Sequence, residues 1–556
     1  MNARRSLGCA SALAALLLAG GAARAAHDTL TIGVAQFPSS LNPYIDAETI
    51  KDYTLGFGLR PVTAYDKDWK DACRLCAQLP DVEDGSAKTE TLPDGKLGMV
   101  VTVKLRSDMK WADGVPVTTK DLEFTWRAGH DPAAGFINAR PWQVVRTMDI
   151  VDAQTAVLHL GQTWAQYNEW PWILPEHVEA PVRAAAGNPA DYVRQTVFNR
   201  APTTPGLWDG PYMITAYQSG VQVEFAPNPH WAGPKPGFKK VVLKLIENTA
   251  ALQANLLSGD VDMVAGDGVG LTIDQGIALQ QQHPDQFTYM FRPTLAFEHL
   301  VIQKDNAILG DLRVRQALLY ALDRQTLVNK LFNGLQPVAT TWVNPLSPFY
   351  SKDTATYPYD PAKARQLLAE AGWKPGGDGI CRNAHGDRLS FELTTTAGNR
   401  LRELQEQVLQ SQWKAVGAEA TIKNEPARVM FGQTLKHRAY SGMVMYAGSY
   451  AVTETPRRIL GSDQIATEAN NWSGGNYTAF SNPQFDHDLD IAETELDQAR
   501  RKAAWADMQR IYAAELPELP LFFRAEPHII PKWLHGYAPT GHSDLGTLWS
   551  ENWTAD

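Results

Sequence analysis

The stretch VTVKLRSDMKWADGVPVTTKDLEFTW, at 101–126, shows two hydrophobic periods in succession. Apolar and polar residues alternate over 101–105, which is typical of a half-buried strand. The sequence W-A-D-G at 111–114 predicts a turn, because Asp and Gly tolerate the dihedral angles of a chain reversal. Thr118 stands three residues before Asp121, a spacing that predicts a capped helix start. The pattern therefore predicts a strand, a turn and a capped helix in this order.

The same two periods recur along the rest of the chain. Thr249 is the predicted cap of a helix that ends at Gly259, where glycine favours the left-handed conformation. Two helices are predicted within 311–334. Asp323 is the predicted cap of the second one, which ends at Gly334. The predicted strands are 29–34, 241–246 and 261–264, and the predicted helices lie within 249–258, 311–334 and 401–416.

The first residues have the pattern of a secretory signal. Arg4 and Arg5 precede an apolar stretch over 10–23, and Ala-Arg-Ala at 23–25 provides small residues at a cleavage position. The apolar stretch is short for a membrane span, so a cleaved signal peptide at 1–25 is favoured over a retained anchor. Cys9 precedes the apolar stretch, which argues against lipidation. We expect a soluble product in a Gram-negative periplasm.

Length and charge restrict the possible partners. At 556 residues the chain is too long for one hydrophobic core, so several lobes are expected. The net charge is −10, and it becomes −13 when the predicted signal removes its three arginines and no acid. Proteins that bind nucleic acid or anionic membranes usually do so through clustered Lys and Arg. We therefore expect no nucleic-acid partner and no direct membrane insertion.

Three cysteines remain after the predicted signal. Cys73 and Cys76 have C-x-x-C spacing, and Cys381 stands alone. No second C-x-x-C and no following H-x₃-H accompany the pair, so a zinc site is a weak interpretation. A structural role is favoured, with a disulfide and free buried thiols both open.

Motifs of catalysis are missing from the sequence. It contains no G-x-S-x-G, no H-E-x-x-H and no phosphate loop of the G-x-x-x-x-G-K form. Asp-His-Asp at 486–488 could be proposed as metal ligands, but neighbours on a helix point in different directions. We therefore predict no catalytic residues, no metal site and no cofactor.

Several of these segments together resemble one protein family. The strand and L-N-P turn at 30–43, the element at 101–126 and L-x-x-x-L-L-S-G-D-V-D at 252–262 occur in the family's order. V-R-x-A-L-x-x-A-x-D-R, at 314–324, matches its hallmark phrase at every position, and 516–523 is similar to its last crossover strand. The chain resembles the extracellular solute-binding proteins of family 5, the dipeptide, oligopeptide and nickel class of ABC importers.

The resemblance implies a fold. It is α/β, with the two lobes of a type II periplasmic binding protein, an extra domain inserted in lobe I, and a ligand cleft between lobes joined by two hinge strands. Mapped onto this sequence, lobe I comprises 27–60, 201–290 and 521–556. The inserted domain is 61–200 and lobe II is 291–520.

The resemblance also implies a function. The protein would capture a small solute by hinge closure and deliver it to an inner-membrane ABC permease, as a monomer without enzyme activity. A peptide or peptide-like solute is the leading expectation, with opines, oligosaccharides and peptide-derived antibiotics as alternatives. A periplasmic peptidase with the same fold, or a sensor that signals without import, also remains open.

The segment 440–480 is informative about the ligand. Peptide-binding relatives carry there an aspartate that pairs with the α-ammonium of the peptide, and the alignment on Pro456 puts Val452 at that position. Glu454 is the nearest acid that could replace it. A buried ammonium without a carboxylate is costly, so this departure weakens the case for peptides with a free N-terminus.

The candidate ligand-binding residues come from this segment and from the family's cleft rim. Trp and Tyr can stack on a ligand, and Asn, Ser and Thr can hydrogen-bond it. The predicted set is Phe37, Asn42, Tyr446, Ser449, Tyr450, Thr453, Glu454, Asn471, Trp472 and Tyr477.

Overall fold

The structure is a computed structural model that describes residues 27–46, 48–131, 136–137, 139–266, 268–448, 451–470 and 472–556. The predicted signal peptide at 1–25 lies outside the described residues. Within these ranges, no helix has both the length and the apolar content that crossing a membrane requires.

The elements alternate between helices and strands along the chain. The strands are β1 (Thr29–Val34), β2 (Thr63–Tyr65), β3 (Asp71–Cys73), β4 (Cys76–Gln78), β5 (Ala87–Thr91), β6 (Leu97–Leu105), β7 (Val145–Ile150), β8 (Thr155–Leu160), β9 (Tyr212–Gln218), β10 (Gln222–Pro227), β11 (Lys240–Leu245), β12 (Met263–Val264), β13 (Phe287–Ile302), β14 (Lys374–Pro375), β15 (Cys381–Arg382), β16 (Ser390–Thr394), β17 (Glu419–Ile422), β18 (Met443–Gly448), β19 (Glu518–Pro531), β20 (Leu534–His535) and β21 (Thr554–Ala555). The α-helices are α1 (Thr49–Gly58), α2 (Thr119–His130), α3 (Arg140–Gln143), α4 (Glu176–Ala185), α5 (Pro189–Gln195), α6 (Val197–Arg200), α7 (Thr249–Ser258), α8 (Ile273–Gln282), α9 (Leu312–Tyr320), α10 (Arg324–Phe332), α11 (Pro361–Glu370), α12 (Arg400–Lys414), α13 (Ala427–Val429), α14 (Arg457–Leu460), α15 (Pro483–Thr494) and α16 (Gln498–Glu515).

One ten-stranded sheet runs through both halves of the molecule. Its strand order is β17-β16-β18-β13-β19-β12-β1-β11-β10-β9. The pairings of β1 with β11 and β12, and of β16 with β17 and β18, are parallel. The two halves meet at the antiparallel pair of β13 and β19. The predicted lobe boundaries at 290/291 and 520/521 both fall inside these two long strands.

The ladder between β13 and β19 is interrupted near its middle. Pairing stops after Pro293 and resumes at Phe297, and a second shift follows between Glu298 and His299. A break in register locally bends and twists a strand. The interruption therefore marks the point where the chain passes from one half of the sheet to the other.

A second sheet lies within 61–200. Its strand order is β4-β6-β8-β7, with β5 also paired to β6. The capping box predicted for α2 is confirmed: Asp121 accepts a hydrogen bond from the backbone N–H of Thr118, and the Thr118 hydroxyl accepts from the first helical turn. This sheet and the helices around it lie in the segment that the sequence predicts as an inserted domain.

The apolar interior joins this domain to the first half of the large sheet. One cluster of buried residues contains Met99, Val101 and Trp142 of the inserted segment together with Ile32 and Phe225 of the large sheet. Because apolar burial is the main favourable term in folding, a shared core makes the two parts one unit. The opposite half has its own core, around α9, α10 and α12, which Ile273 and Ile277 of α8 also contact.

Two local predictions can be refined. The cap of α7 is Asn248, whose side chain accepts from the backbone N–H of Ala251, so the prediction of Thr249 as the cap is wrong by one residue. Gly259 ends that helix with a φ of 83°, as the sequence predicts. Cys73 and Cys76 form a disulfide, and Cys381 is a buried free thiol. Of the two states left open for the cysteine pair, the disulfide is the one that forms.

Candidate functional site

A cavity of about 360 Å³ lies beside the interruption in the hinge ladder. The unpaired residues of β13, Thr294 to Ala296, form one wall, and Arg524 and Glu526 of β19 form the next. The first turns of α1 and the loop 541–545 close the remaining sides. Its lining is Thr49, Asp52, Gly268, Thr294, Leu295, Ala296, Arg524, Glu526, Gly541, His542, Ser543 and Leu545. We call this the hinge cavity.

Two carboxylates face the hinge cavity without a partner. Neither Asp52 nor Glu526 forms a side-chain hydrogen bond or an ion pair within the described part of the chain. Burial raises the pKa of Glu526 to about 7, although nearby Arg524 opposes the change. Burial also raises the pKa of Asp52 to about 6, with Lys51 opposing and Glu48 adding to it. Both acids are thus costly to ionise in the empty cavity.

A third carboxylate close by is fully paired. Glu298 of β13 accepts from Arg402 Nε at 2.8 Å and from Arg524 Nε at 2.8 Å, one on each carboxylate oxygen. Burial alone would raise the pKa of Glu298, but Arg524 and Arg402 outweigh it and hold the pKa below its usual value. This ion triad fixes the Arg524 side chain beside Glu526.

A second cavity, of about 300 Å³, adjoins the first because both are lined by Gly268, Arg524 and Glu526. It lies between α8 with its preceding loop and residues of the opposite half. From that half it is lined by Phe332, Gln336, Asn399, Leu401, Arg402 and Gln405. The two cavities together form a space at the hinge that residues of both halves line.

The inserted segment also touches the opposite half directly. Thr453 Oγ1 donates to Glu169 Oε1 at 2.6 Å and accepts from Gln166 Nε2 at 3.1 Å. Arg501 Nη1 donates to the carbonyl of Ala165 at 3.1 Å. Burial raises the pKa of Glu169 to about 7, while its hydrogen bonds from Thr453 and Tyr65 oppose the change. We call these contacts the interlobe bridge.

Val452 lies at the edge of the interlobe bridge. Its side chain is 3% exposed and packs with Tyr65 and Trp69, with Leu295 beside them. The position at which the sequence lacks the expected aspartate is therefore an apolar contact between the two halves. A carboxylate there would be desolvated without a partner.

Glu454 lines a third cavity, of about 390 Å³, between the inserted domain and the opposite half. Its side chain is exposed, and a carboxylate oxygen accepts from the backbone N–H of Ala451 at 2.9 Å. Arg457 in the same wall is already paired with Glu493. Glu454 therefore lies in the cleft but away from the hinge cavity.

The aromatic candidates gather on one part of the opposite half. Tyr446 and Tyr477 both pack against a small core around Val301 and Met430, and the ring of Tyr446 is 4.8 Å from that of His299. Burial raises the pKa of Tyr446 far above its usual value. Trp472 is half-buried and its ring contacts His437 at 5.5 Å. These side chains line none of the three cavities described above.

The rim candidates lie in the half that contains β1. Phe37 is half-buried, with its ring 5.5 Å from that of Tyr217. Asn42 is fully buried: its amide donates to Thr196 Oγ1 at 3.0 Å and its carbonyl accepts from the backbone N–H of Tyr44 at 2.9 Å. Asn42 thus holds the turn after β1 together. Ser449, Tyr450 and Asn471 lie outside the described residues.

Asp52, Glu169 and Glu526 are absent from the predicted set, although the sequence contains a signal for two of them. Glu526 and Arg524 interrupt the otherwise apolar run LPLFFRAEPHIIP, and Asp52 stands in a helix that is buried along most of its length. Charged residues in buried elements are rare unless they are paired or functional. Glu169 lies in an irregular loop and offers no such signal.

Comparison with known proteins identifies the family. The model of the bacterial extracellular solute-binding proteins, family 5 middle, matches residues 87–464. The chain is 27% identical to protein XP55 of Streptomyces lividans over 92% of this chain and 89% of that protein. It is 25% identical to the oligopeptide-binding protein AppA of Bacillus subtilis over 82% of this chain and 81% of that protein.

A solved structure agrees with the sequence match. The oligopeptide-binding protein of Thermus thermophilus, solved in complex with a pentapeptide, is 28% identical and superposes with a TM-score of 0.69. The superposition covers 95% of this chain and 97% of that chain. The predicted two-lobed α/β architecture is thereby confirmed. The chain belongs to the bacterial extracellular solute-binding proteins of family 5.

Proposed function

We propose that this protein is the substrate-binding subunit of an ABC importer, which captures a peptide or peptide-like solute between its lobes. The observation that carries the proposal is the space at the hinge lined by both halves, where β13 and β19 join two halves that have largely separate cores. Relatives of this family that bind oligopeptides support it. The protein would act as a periplasmic monomer after removal of residues 1–25.

The mechanism is closure of the lobes around the solute. A solute that contacts both halves binds the closed form more tightly than the open form, and it therefore shifts the equilibrium towards closure. The interlobe bridge stabilises the same closed form, because Thr453 and Glu169 come from opposite halves. The closed protein would then be presented to the membrane permease.

A non-peptide solute is the second candidate. The observation in its favour is the apolar burial of Val452, which leaves that position without the acid that a peptide ammonium requires there. An opine, an oligosaccharide or a peptide-derived antibiotic remains compatible with the polar lining of the two adjoining hinge cavities.

Mass spectrometry of the material that co-purifies with the protein from the periplasm tests the proposal. We expect a set of short peptides after release by denaturation, together with a smaller radius of gyration in X-ray scattering when they are added back. A single non-peptide mass would select the second candidate. No bound solute, and no compaction with any peptide at saturation, would contradict solute capture by closure.

A further inference from the structure

We propose that Arg501 is a positioning residue for solute capture, whose buried guanidinium holds the opposite half to the inserted segment at 61–200 and slows reopening of the lobes. We call Arg501, with Ala165, Asp71 and Glu169 that it faces, the Arg501 latch. The inference rests on the proposed function, because it concerns how long a captured solute is held. It also gives the inserted segment a role in capture, as the part that receives the latch.

The first argument is how the Arg501 side chain is held. Arg501 lies on α16 and is 4% exposed. Within its own half, Nε donates to the carbonyl of Ala492 at 3.0 Å, and the guanidinium lies 4.9 Å from the centre of the Phe349 ring. Toward the inserted segment, Nη1 donates to the carbonyl of Ala165 at 3.1 Å. A guanidinium is a planar, pre-organised fork, so a side chain fixed by one half loses little entropy when it bonds to the other.

The second argument is the charge around the guanidinium. Burial lowers the pKa of Arg501, and every group that opposes the change, Glu169 and Asp71 among them, belongs to the inserted segment. Burial raises the pKa of both acids, and Arg501 acts against the rise in each. Nη2 is buried without a hydrogen-bond partner among the described residues. The buried cation therefore depends on the carboxylates of the inserted segment for compensation of its charge.

The third argument is that the two sides of the latch belong to different cores. The inserted segment shares its core with the first half of the large sheet. The helix α16 belongs, through Trp505, to a separate cluster of the opposite half. The backbone N–H of Ala165 donates to the carbonyl of Glu493 at 2.9 Å, so Ala165 both donates to the opposite half and accepts from it. A rotation about the hinge strands would break these contacts, and Arg501 therefore stabilises the closed form specifically.

The test measures how fast bound peptide leaves the mature protein. An isotope-labelled pool of random tripeptides to pentapeptides is bound at pH 8 and displaced by an excess of the unlabelled pool, and the retained label is followed by mass spectrometry. The variants are Arg501→Met and Arg501→Lys. Arg500→Met is the matched control, because Arg500 is the exposed neighbour and pairs with Glu495 within the same half.

We expect Arg501→Met to release peptide at least tenfold faster than the wild type, with a smaller change in the association rate. Arg501→Lys keeps the charge without the fork and should release peptide at an intermediate rate. Arg500→Met should release peptide at the wild-type rate.

Glu169→Gln decides if Arg501→Met does not fold. Its amide oxygen can still accept from Thr453, so this variant removes the charge near Arg501 and keeps the hydrogen bond. At pH 8 the Glu169 carboxylate is ionised in the wild type, because its pKa is about 7. Release about threefold to tenfold faster than in the wild type would support the latch. Release at the wild-type rate would refute it.

Three results would overturn the inference while the proposed function stands. One is an unchanged release rate in a folded Arg501→Met variant, and another is equally fast release from Arg500→Met. The third is an equal acceleration in Arg501→Met and Arg501→Lys, which would exclude a role of the charge.

If no peptide of the pool binds, peptide capture fails and the solute-free protein decides on the latch. Hydrogen exchange of the Ala165 N–H measures opening of the contact, because this group donates to the carbonyl of Glu493. We expect exchange about tenfold faster in Arg501→Met than in Arg500→Met. Equal exchange rates in the two variants would refute the latch.

Discussion

Two glutamates on the paired hinge strands have opposite surroundings. Glu298 on β13 is enclosed by Arg402 and Arg524, and its pKa lies below the usual value. Glu526 on β19 lines two cavities without a partner, and burial raises its pKa to about 7. One glutamate is thus paired with two arginines, whereas the other, on the adjacent strand, has no side-chain partner among the described residues.

The difference separates the roles of the two sites. Removing one partner from a buried ion group leaves an uncompensated charge, so such a group has to stay intact for folding. A half-buried carboxylate without a partner costs stability when it is ionised. The comparison therefore assigns Glu298 to the architecture of the hinge, whereas Glu526 belongs to the lining that a solute in the cavity would contact.

The largest expected effect comes from Glu298→Gln. It leaves the guanidinium groups of Arg402 and Arg524 without their shared charge, and we expect the free energy of unfolding to fall by about 3 kcal/mol. Urea denaturation measures it. Glu526→Gln is the matched control and should be neutral or more stable by about 1 kcal/mol near pH 8. Similar losses in both variants would break the comparison.

The next largest effect is expected from Val452→Asp. A carboxylate placed between Tyr65 and Trp69 would be desolvated when the lobes close, so we expect solute affinity to fall by about 2 kcal/mol. Val452→Ala controls for lost volume and should cost about 1 kcal/mol or less. Calorimetric titration measures both. A gain in affinity for free-amine peptides in Val452→Asp would mean that the ammonium lies at position 452.

The interlobe bridge supplies a smaller effect. Thr453→Val removes the hydrogen bonds to Glu169 and Gln166, and we expect the affinity for solute to fall about fivefold to tenfold, because the closed form alone is weakened. Thr455→Val is the control, since Thr455 bonds Glu493 within the same half. Calorimetry measures the affinity of the two variants for the solute, and X-ray scattering measures how far each of them closes. An equal loss in the two variants would exclude a specific role of the bridge in closure.

The smallest effect is a dependence of stability on pH. The pKa of Glu526 is raised to about 7 in the folded protein. The folded state therefore holds this proton more tightly than the unfolded state does. The resulting stabilisation is complete below the ordinary carboxylate pKa and is lost as the pH rises through 7. Asp52 acts in the same direction near pH 6. The charged groups that modify these pKa values are Arg524 for Glu526, and Lys51 and Glu48 for Asp52.

Thermal unfolding of the solute-free protein between about pH 5.5 and 8 measures this dependence. We expect the wild type to lose more stability than the Asp52→Asn and Glu526→Gln double variant over that range. Parallel curves for the two proteins would show that the hinge carboxylates are not desolvated.

Individual strands, turns and helix ends could be predicted from local patterns because those patterns report on the backbone, whereas the two-lobed architecture followed from the resemblance to the family. The alternation at 101–105, the capping box of Thr118 and the left-handed Gly259 each act within a few residues, and each is found in the structure. The cap of α7 shows the limit of this reasoning. Asn248 and Thr249 are both good caps, and the sequence does not show which one the chain uses.

The site was harder to predict because it depends on contacts between distant segments. Asp52 and Glu526 are far apart in sequence, yet both line the hinge cavity. Glu454 was the nearest acid in sequence to Val452, but the structure puts it in a different cavity. The roles of Tyr446, Thr453, Trp472 and Tyr477 in binding stay predictions. The usable signal was the charged R-A-E step within the apolar strand β19.

The most direct test is whether a solute closes the two halves of the protein. X-ray scattering of the mature protein, with and without the material that co-purifies with it from the periplasm, measures the radius of gyration. We expect a smaller radius with the solute, and weaker compaction in Thr453→Val, which lacks the hydrogen bond to Glu169 of the interlobe bridge. An unchanged radius at saturation would contradict capture by closure.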